Sequence, residues 1–374
     1  MMKMTPATQK IWLFNKPLDL MVLLVPVWLV WVFCFSLPAS IVEADVPLWV
    51  WVVFVLGIDV AHVWSTIFRT YLDKEEFGHH KRLLIYTPVA CLVLFFFIAS
   101  ISIAFFWTVL AYVALYHFIK QQYGFMQLYR ARFGFVKSKK WLSDKFIIYL
   151  GMLYPVWYWH LNSDRNFSWF VDGDFFDLAG VLSQLPFGVS ALNEISNYLY
   201  FFLLVLWFVE EEVLHQRLKQ GFPIGKWLWI MTTWGNWYLG IVYFNSDIVF
   251  TVTNVVAHGV PYMALVFFYV EKKRERKKPG LFWFDNLYRV GFMLGVVLLL
   301  AFGEEYLWDM LLYQERTNLF EALIGYPTAI VNSPIFQALA LALLSVPQAT
   351  HYVLDGFIWK ANSNNPHIKT LLLN

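Results

Sequence analysis

Ten mostly apolar runs divide this chain, at residues 18–37, 46–68, 83–100, 102–120, 146–161, 194–210, 226–245, 248–270, 286–306 and 332–357. A helix needs roughly 20 predominantly apolar residues to cross a bilayer, and most of the runs come close to that length. The connections between them alternate in charge. Lys3, Lys10 and Lys16 precede the first run, and Arg69, Lys74, Lys81 and Arg82 follow the second. Arg130, Arg132, Lys137, Lys139, Lys140 and Lys145 follow the fourth. Arg217, Lys219 and Lys226 follow the sixth, and Lys272, Lys273, Arg274, Arg276, Lys277 and Lys278 follow the eighth. The intervening connections carry Glu43 and Asp45, then Asp172, Asp174 and Asp177, then Asp247, then Glu304, Glu305 and Asp309. Basic residues gather in cytoplasmic loops. The alternation therefore predicts an all-α polytopic membrane bundle of about ten transmembrane helices in one domain, 1–374, with both termini cytoplasmic.

Composition agrees. Only 14% of residues are charged, against about 25% in soluble domains, so lipid is expected to cover most of the outside. The N-terminus shows no short apolar stretch followed by a small-residue cleavage site, so the first run is expected to remain as an anchor. A bacterial inner membrane fits this pattern, and no nucleic-acid partner is expected. Cys34 and Cys91 both lie inside apolar runs, which argues against a disulfide framework or a thiolate metal site. The 161–193 segment, aromatic and acidic, is read as an outer-surface connection, either a short interfacial helix or a plain loop.

Ionisable side chains are costly in hydrocarbon and usually mark function there. Four histidines fall inside predicted spans: His62, His117, His258 and His351, in the second, fourth, eighth and tenth runs. By the charge alternation these four helices run in the same direction. Each histidine has a polar residue three or four positions away, on the same helix face. Asp59 precedes His62, Gln121 follows His117 (with Gln122 next after it), Asn254 precedes His258, and Asp355 follows His351. Buried imidazoles that bind a metal need a partner to fix their tautomer. The four histidines are therefore candidate metal ligands, Gln121, Gln122 and Asn254 candidate outer partners, and Asp59 and Asp355 candidate catalytic carboxylates or ligands. His79 and His80 could add ligands for a second metal. His160, His215 and His367 lie near helix ends or in the tail and are read as incidental. The alternative is a set of interhelical hydrogen bonds that only hold the bundle together.

Such a donor set suits iron, zinc or copper. Zinc would activate water, and non-haem iron would serve oxidation. The buried setting favours an apolar or lipid-like substrate entering between helices, and the basic rim could hold an anionic headgroup. A lipid-like substrate with few groups to hydrolyse makes an iron-dependent oxygenase the expected chemistry. The segments DVAHVW, LYHFIKQQYG, NVVAHGVPY and HYVLDGFIWK resemble the histidine-bearing helices of Brp/Blh-type carotene dioxygenases. That resemblance implies that His62, His117, His258 and His351 hold one non-haem iron and that the substrate is a long apolar polyene. The His-x-x-x-His and His-x-x-His-His boxes of membrane desaturases are absent. Glu304-Glu305 with His351-x-x-x-Asp355 resembles CAAX-type intramembrane proteases, although the arginine expected after the glutamate pair is missing and the pair is expected at the outer face, away from His351. A haem-binding electron carrier and a transporter are the remaining readings.

Overall fold

The computed structural model describes residues 10–373 except 45, 135–139, 163, 183–187, 278–282, 325–332 and 363–364. Among the described residues there are helices and connections but no strand. Seven helices are long and apolar enough to cross a membrane. They are α1 (Lys16–Ser36), α2 (Leu48–Arg69), α3 (Lys74–Ile101), α4 (Ile103–Phe133), α6 (Gly188–Leu218), α8 (Asp247–Lys277) and α9 (Trp283–Trp308). The remaining three predicted runs are covered by shorter helices. These are α5 (Asp144–Leu161), α7 (Ile224–Trp237, continued by a wider coil at Tyr238–Tyr243), and the pair α10 (Pro334–Leu344) and α11 (Val346–Ile358). The chain is an all-helical membrane protein.

The last predicted run breaks at Ser345 for a local reason. Pro347 has no N–H to give the Leu343 carbonyl four residues back, and the Ser345 N–H closes α10 on the Leu341 carbonyl at 3.1 Å. The third and fourth runs, by contrast, extend well beyond their apolar cores. Asp73 caps α3 by accepting from the Glu75 and Glu76 N–H groups, which lets the helix start nine residues before its apolar stretch. Ser102, in an extended conformation, separates α3 from α4. The 161–193 segment is mostly irregular where described, with one four-residue helix, Ala179–Leu182.

The chain divides into two compact units. Residues 1–47, 115–261 and 372–374 form the first, and residues 48–114 and 262–371 the second. In the first, indole N–H groups join helices. Trp28 donates to Thr232 at 2.8 Å, Trp31 to Asn236 at 3.1 Å, and Trp229 to the Gln122 carbonyl at 3.0 Å. Gly151 of α5 lies flat against the Trp234 indole, where a Cβ would collide with the ring. In the second, α3 packs along α10 and α11. Arg69 pairs with Glu76 at 2.5 Å and stacks on Tyr269, while Lys273 reaches Asp73 and Glu76 at 2.8 and 3.0 Å.

In three of these helices, α3, α5 and α8, an interior proline poses one problem, and it is answered in the same way each time. A proline at position i leaves the carbonyl of i−4 without its helical donor. In lipid no water replaces it, and such an orphan costs several kcal/mol. Pro88 frees the Leu84 carbonyl, and the Tyr71 hydroxyl donates to it at 2.8 Å. Pro155 frees the Gly151 carbonyl, and the Tyr200 hydroxyl donates to it at 3.0 Å. Pro261 frees the Ala257 carbonyl, and the Gln122 side-chain amide donates to it at 3.0 Å. The third clamp lies beside two of the candidate ligands.

Candidate metal centre

In the second unit, His62 of α2 and His351 of α11 face each other edge to face, with ring centroids 5.0 Å apart and planes at 79°. Both are 1% exposed. The His351 Nδ1 lies 2.8 Å from the Thr66 hydroxyl, which lies 2.9 Å from the Tyr262 hydroxyl, which donates to Asp355 at 2.6 Å. The direction of this chain follows from counting protons. Tyr262 gives its one hydroxyl proton to the carboxylate, so its oxygen accepts from Thr66. Thr66 has then spent its own proton and accepts from His351. The chain thus places the proton on Nδ1 and makes Nε2 the acceptor nitrogen of the ring.

This arrangement corrects the expectation that each histidine is held by the polar residue one turn away. His351 Nδ1 is 3.8 Å from Asp355, too far for a direct hydrogen bond, and Asp355 acts through two hydroxyls. Asp59 is likewise 3.6 Å from His62 Nδ1. It lies in a stretch of α2, Trp51–Val60, wound with five-residue rather than four-residue hydrogen bonds.

In the first unit, His117 of α4 and His258 of α8 form a second edge-to-face pair, with centroids 5.0 Å apart and planes at 80°. Phe118 stacks flat on the His258 ring at 3.6 Å and 9°. The polar neighbours again bind backbone rather than imidazole. Gln121 donates to the His258 carbonyl at 2.8 Å, and Gln122 serves the Ala257 carbonyl freed by Pro261. The Gln122 side-chain oxygen, Oε1, in turn accepts from the Thr233 hydroxyl at 3.1 Å. Asn254 donates to the Phe250 carbonyl of its own helix at 2.9 Å. The glutamines therefore fasten α4 to the kinked part of α8 at the residue that bears His258.

All four residues, His62 and His351 in the second unit and His117 and His258 in the first, are buried. Four imidazoles with no carboxylate among the donors suit iron, zinc or copper rather than calcium or magnesium. The residues present therefore fit a transition metal.

Other candidates lie elsewhere. His79 is exposed, and His80 places its Nε2 2.9 Å from the Asn365 side chain; neither belongs to the four-residue group. Glu304 accepts from the Trp64 indole at 2.6 Å. Because Trp64 is only two residues beyond His62, the glutamate pair lies alongside the histidine-bearing part of α2 and not at an outer end away from the site. The reason is helix length: α9 continues to Trp308, so the pair lies inside the helix and not in a connection.

Two residues that position His351, Thr66 and Tyr262, were not singled out from the sequence. Thr66 is four residues from His62 and Tyr262 four from His258, the spacing that marked the other candidates, but hydroxyls on buried helices are too common to stand out. Beside them, a cavity of about 180 Å³ reaches His351 and Thr66. Val63, Trp64, Pro88 and Pro347 are among the mostly apolar side chains that line it. Comparison with protein-family models, with curated proteins and with solved structures finds no match.

Proposed function

We propose that this chain is an integral-membrane oxidoreductase in which His62, His117, His258 and His351 hold one non-haem iron and an apolar, lipid-like substrate is oxidised beside it. The observation that carries this reading is the presence of two buried edge-to-face imidazole pairs, one in each unit. Such an iron, with positions left open, supplies dioxygen chemistry when bound. The chain's own residues bind and orient. His351 offers Nε2 because Thr66, Tyr262 and Asp355 hold its other nitrogen. His258 is held between Phe118 and the Gln121 contact to its carbonyl. Asp59, the carboxylate nearest His62 on its helix, is available as a further ligand or proton acceptor. The apolar cavity at His351 supports a substrate that arrives from lipid. The resemblance to Brp/Blh-type enzymes supports the same reading and would make that substrate a polyene.

We further propose ten membrane crossings, with α10 and α11 together making the last, and both termini on the cytoplasmic side of a bacterial inner membrane. The charge alternation supports this orientation.

Elemental analysis of chelator-free protein, run with a visible spectrum, tests the metal reading. One iron per chain and no Soret band are expected. Protein without stoichiometric metal would sink the proposal, and a Soret band would replace it with haem. A second reading, an intramembrane zinc hydrolase, gains from the position of Glu304 beside α2, where a glutamate could act as general base. Stoichiometric zinc would favour it.

A further inference from the structure

The first unit contains another cluster of buried charge, which the metal reading does not use. Where α4 ends and α5 begins, a cavity of about 300 Å³ is lined by Arg130, Lys140, Lys145, His215 and Lys226, with Asp144 as its one carboxylate. Lys226 is nearly enclosed, with its ammonium 3.1 Å from Asp144 and 2.5 Å from Glu211. Lys140 pairs with both carboxylates, and Arg130 reaches Asp144 at 3.2 Å. Two indoles complete the carboxylates' shells, Trp207 donating to Asp144 at 3.2 Å and Trp227 to Glu211 at 2.9 Å.

The signs do not balance. Three basic groups, Arg130, Lys140 and Lys226, meet two carboxylates, and Lys145 adds a fourth at the rim. A third carboxylate, Glu210, is turned instead to the N–H groups of Trp141 and Leu142, at 2.6 and 3.0 Å. Burying ions in a membrane protein is costly and is tolerated where charges are paired or serve function. A staple that only joined helices would need no surplus cations around an open cavity. The N-terminal end of α5 adds its partial positive charge to the same side. Burial, with Lys226 and Arg130 close by, pushes the Lys140 ammonium down to about 8 even though Asp144 opposes the shift.

The geometry points to a binding site for a phosphate-bearing anion, gripped by Arg130, Lys140 and Lys145 at the rim of the cavity, while Lys226 stays committed to Asp144 and Glu211. The arginine fork and the ammonium groups match phosphate oxygens in number and charge. The volume exceeds what a bare ion fills and suits a phosphate ester. The phosphate could belong to an anionic lipid headgroup or to a soluble compound.

Two probes separate these sources: inorganic phosphate, and phosphatidic acid in mixed micelles. Each is titrated calorimetrically into the full chain in uncharged detergent, with chloride at equal ionic strength as control. Saturable binding of phosphatidic acid alone would assign a lipid headgroup, and binding of both would assign the phosphate group itself. Binding of phosphate alone would assign a soluble ligand. Lys145→Gln and Arg130→Gln are expected to weaken binding about tenfold or more each, the value of a charge-assisted hydrogen bond. Lys145 is exposed and touches only the Tyr149 ring among the described contacts, so its variant is expected to fold as the parent does. Absence of saturable binding of either probe above the chloride control would overturn the proposal, as would unchanged affinity in a monodisperse Lys145→Gln protein.

Discussion

The two histidine pairs are alike in geometry and unlike in what holds them. Each has centroids 5.0 Å apart and nearly perpendicular planes. His351, in the second unit, is held by a polar chain of two hydroxyls and a carboxylate. His258, in the first unit, is held by a flat aromatic ring and by amides that grip the backbone at its own residue and the one before. A hydrogen bond fixes which ring nitrogen carries the proton. Stacking fixes the ring plane and leaves the tautomer open. The first device tunes a ligand and the second only places it, so the pairs should respond differently to substitution.

The largest expected effect removes a donor from either pair. His351→Ala and His258→Ala should each lower metal affinity by more than the roughly 100-fold that loss of an outer partner can cost, read as metal per chain after dialysis against a weak chelator. If both variants kept full metal, the four imidazoles would not be the ligands and the comparison would lose its object.

Gln122→Leu comes next and tests the first unit alone. It leaves the Ala257 carbonyl without its donor, while Thr233 keeps the Trp229 carbonyl, and should destabilise the fold by about 1–3 kcal/mol, measured by denaturation in mixed micelles. An unchanged unfolding midpoint would mean that the kink at Pro261 needs no clamp.

The sharpest contrast involves the smallest changes. Thr66→Val keeps shape but breaks the chain at His351, and should cost about tenfold in metal affinity with little change in stability. Phe118→Leu removes the stack on His258 and should do the reverse, costing about 0.5–1.5 kcal/mol of stability with a smaller effect on metal. Equal responses from the two variants would show that the pairs are held equivalently after all.

Much of this was legible in the sequence. Histidines are rare enough in apolar runs for four of them to stand out, and helix periodicity alone put each beside a polar neighbour. The neighbours' partners were not legible, because same-face spacing treats an imidazole as the only claimant. Gln122 has a stronger one, since counting back four from Pro261 reaches the Ala257 carbonyl, which has no donor of its own. The depth of Glu304 was misread for another reason. Apolar runs mark where lipid touches a helix and not where the helix starts, and α9 is offset from α2 by more than its composition reveals. Similarly, Asp73 extends α3 through a capping contact that hydropathy does not register.

The three proline clamps carry a consequence for how such a chain can change over generations. Each couples a ring that cannot donate to a side chain elsewhere that must, so neither member has a reason to persist without the other. Replacing Pro261 with alanine would restore the helical donor and make the Gln122 amide redundant, leaving two groups competing for one carbonyl. Pro88 with Tyr71, Pro155 with Tyr200 and Pro261 with Gln122 are therefore best treated as inherited pairs, to be exchanged together or left alone.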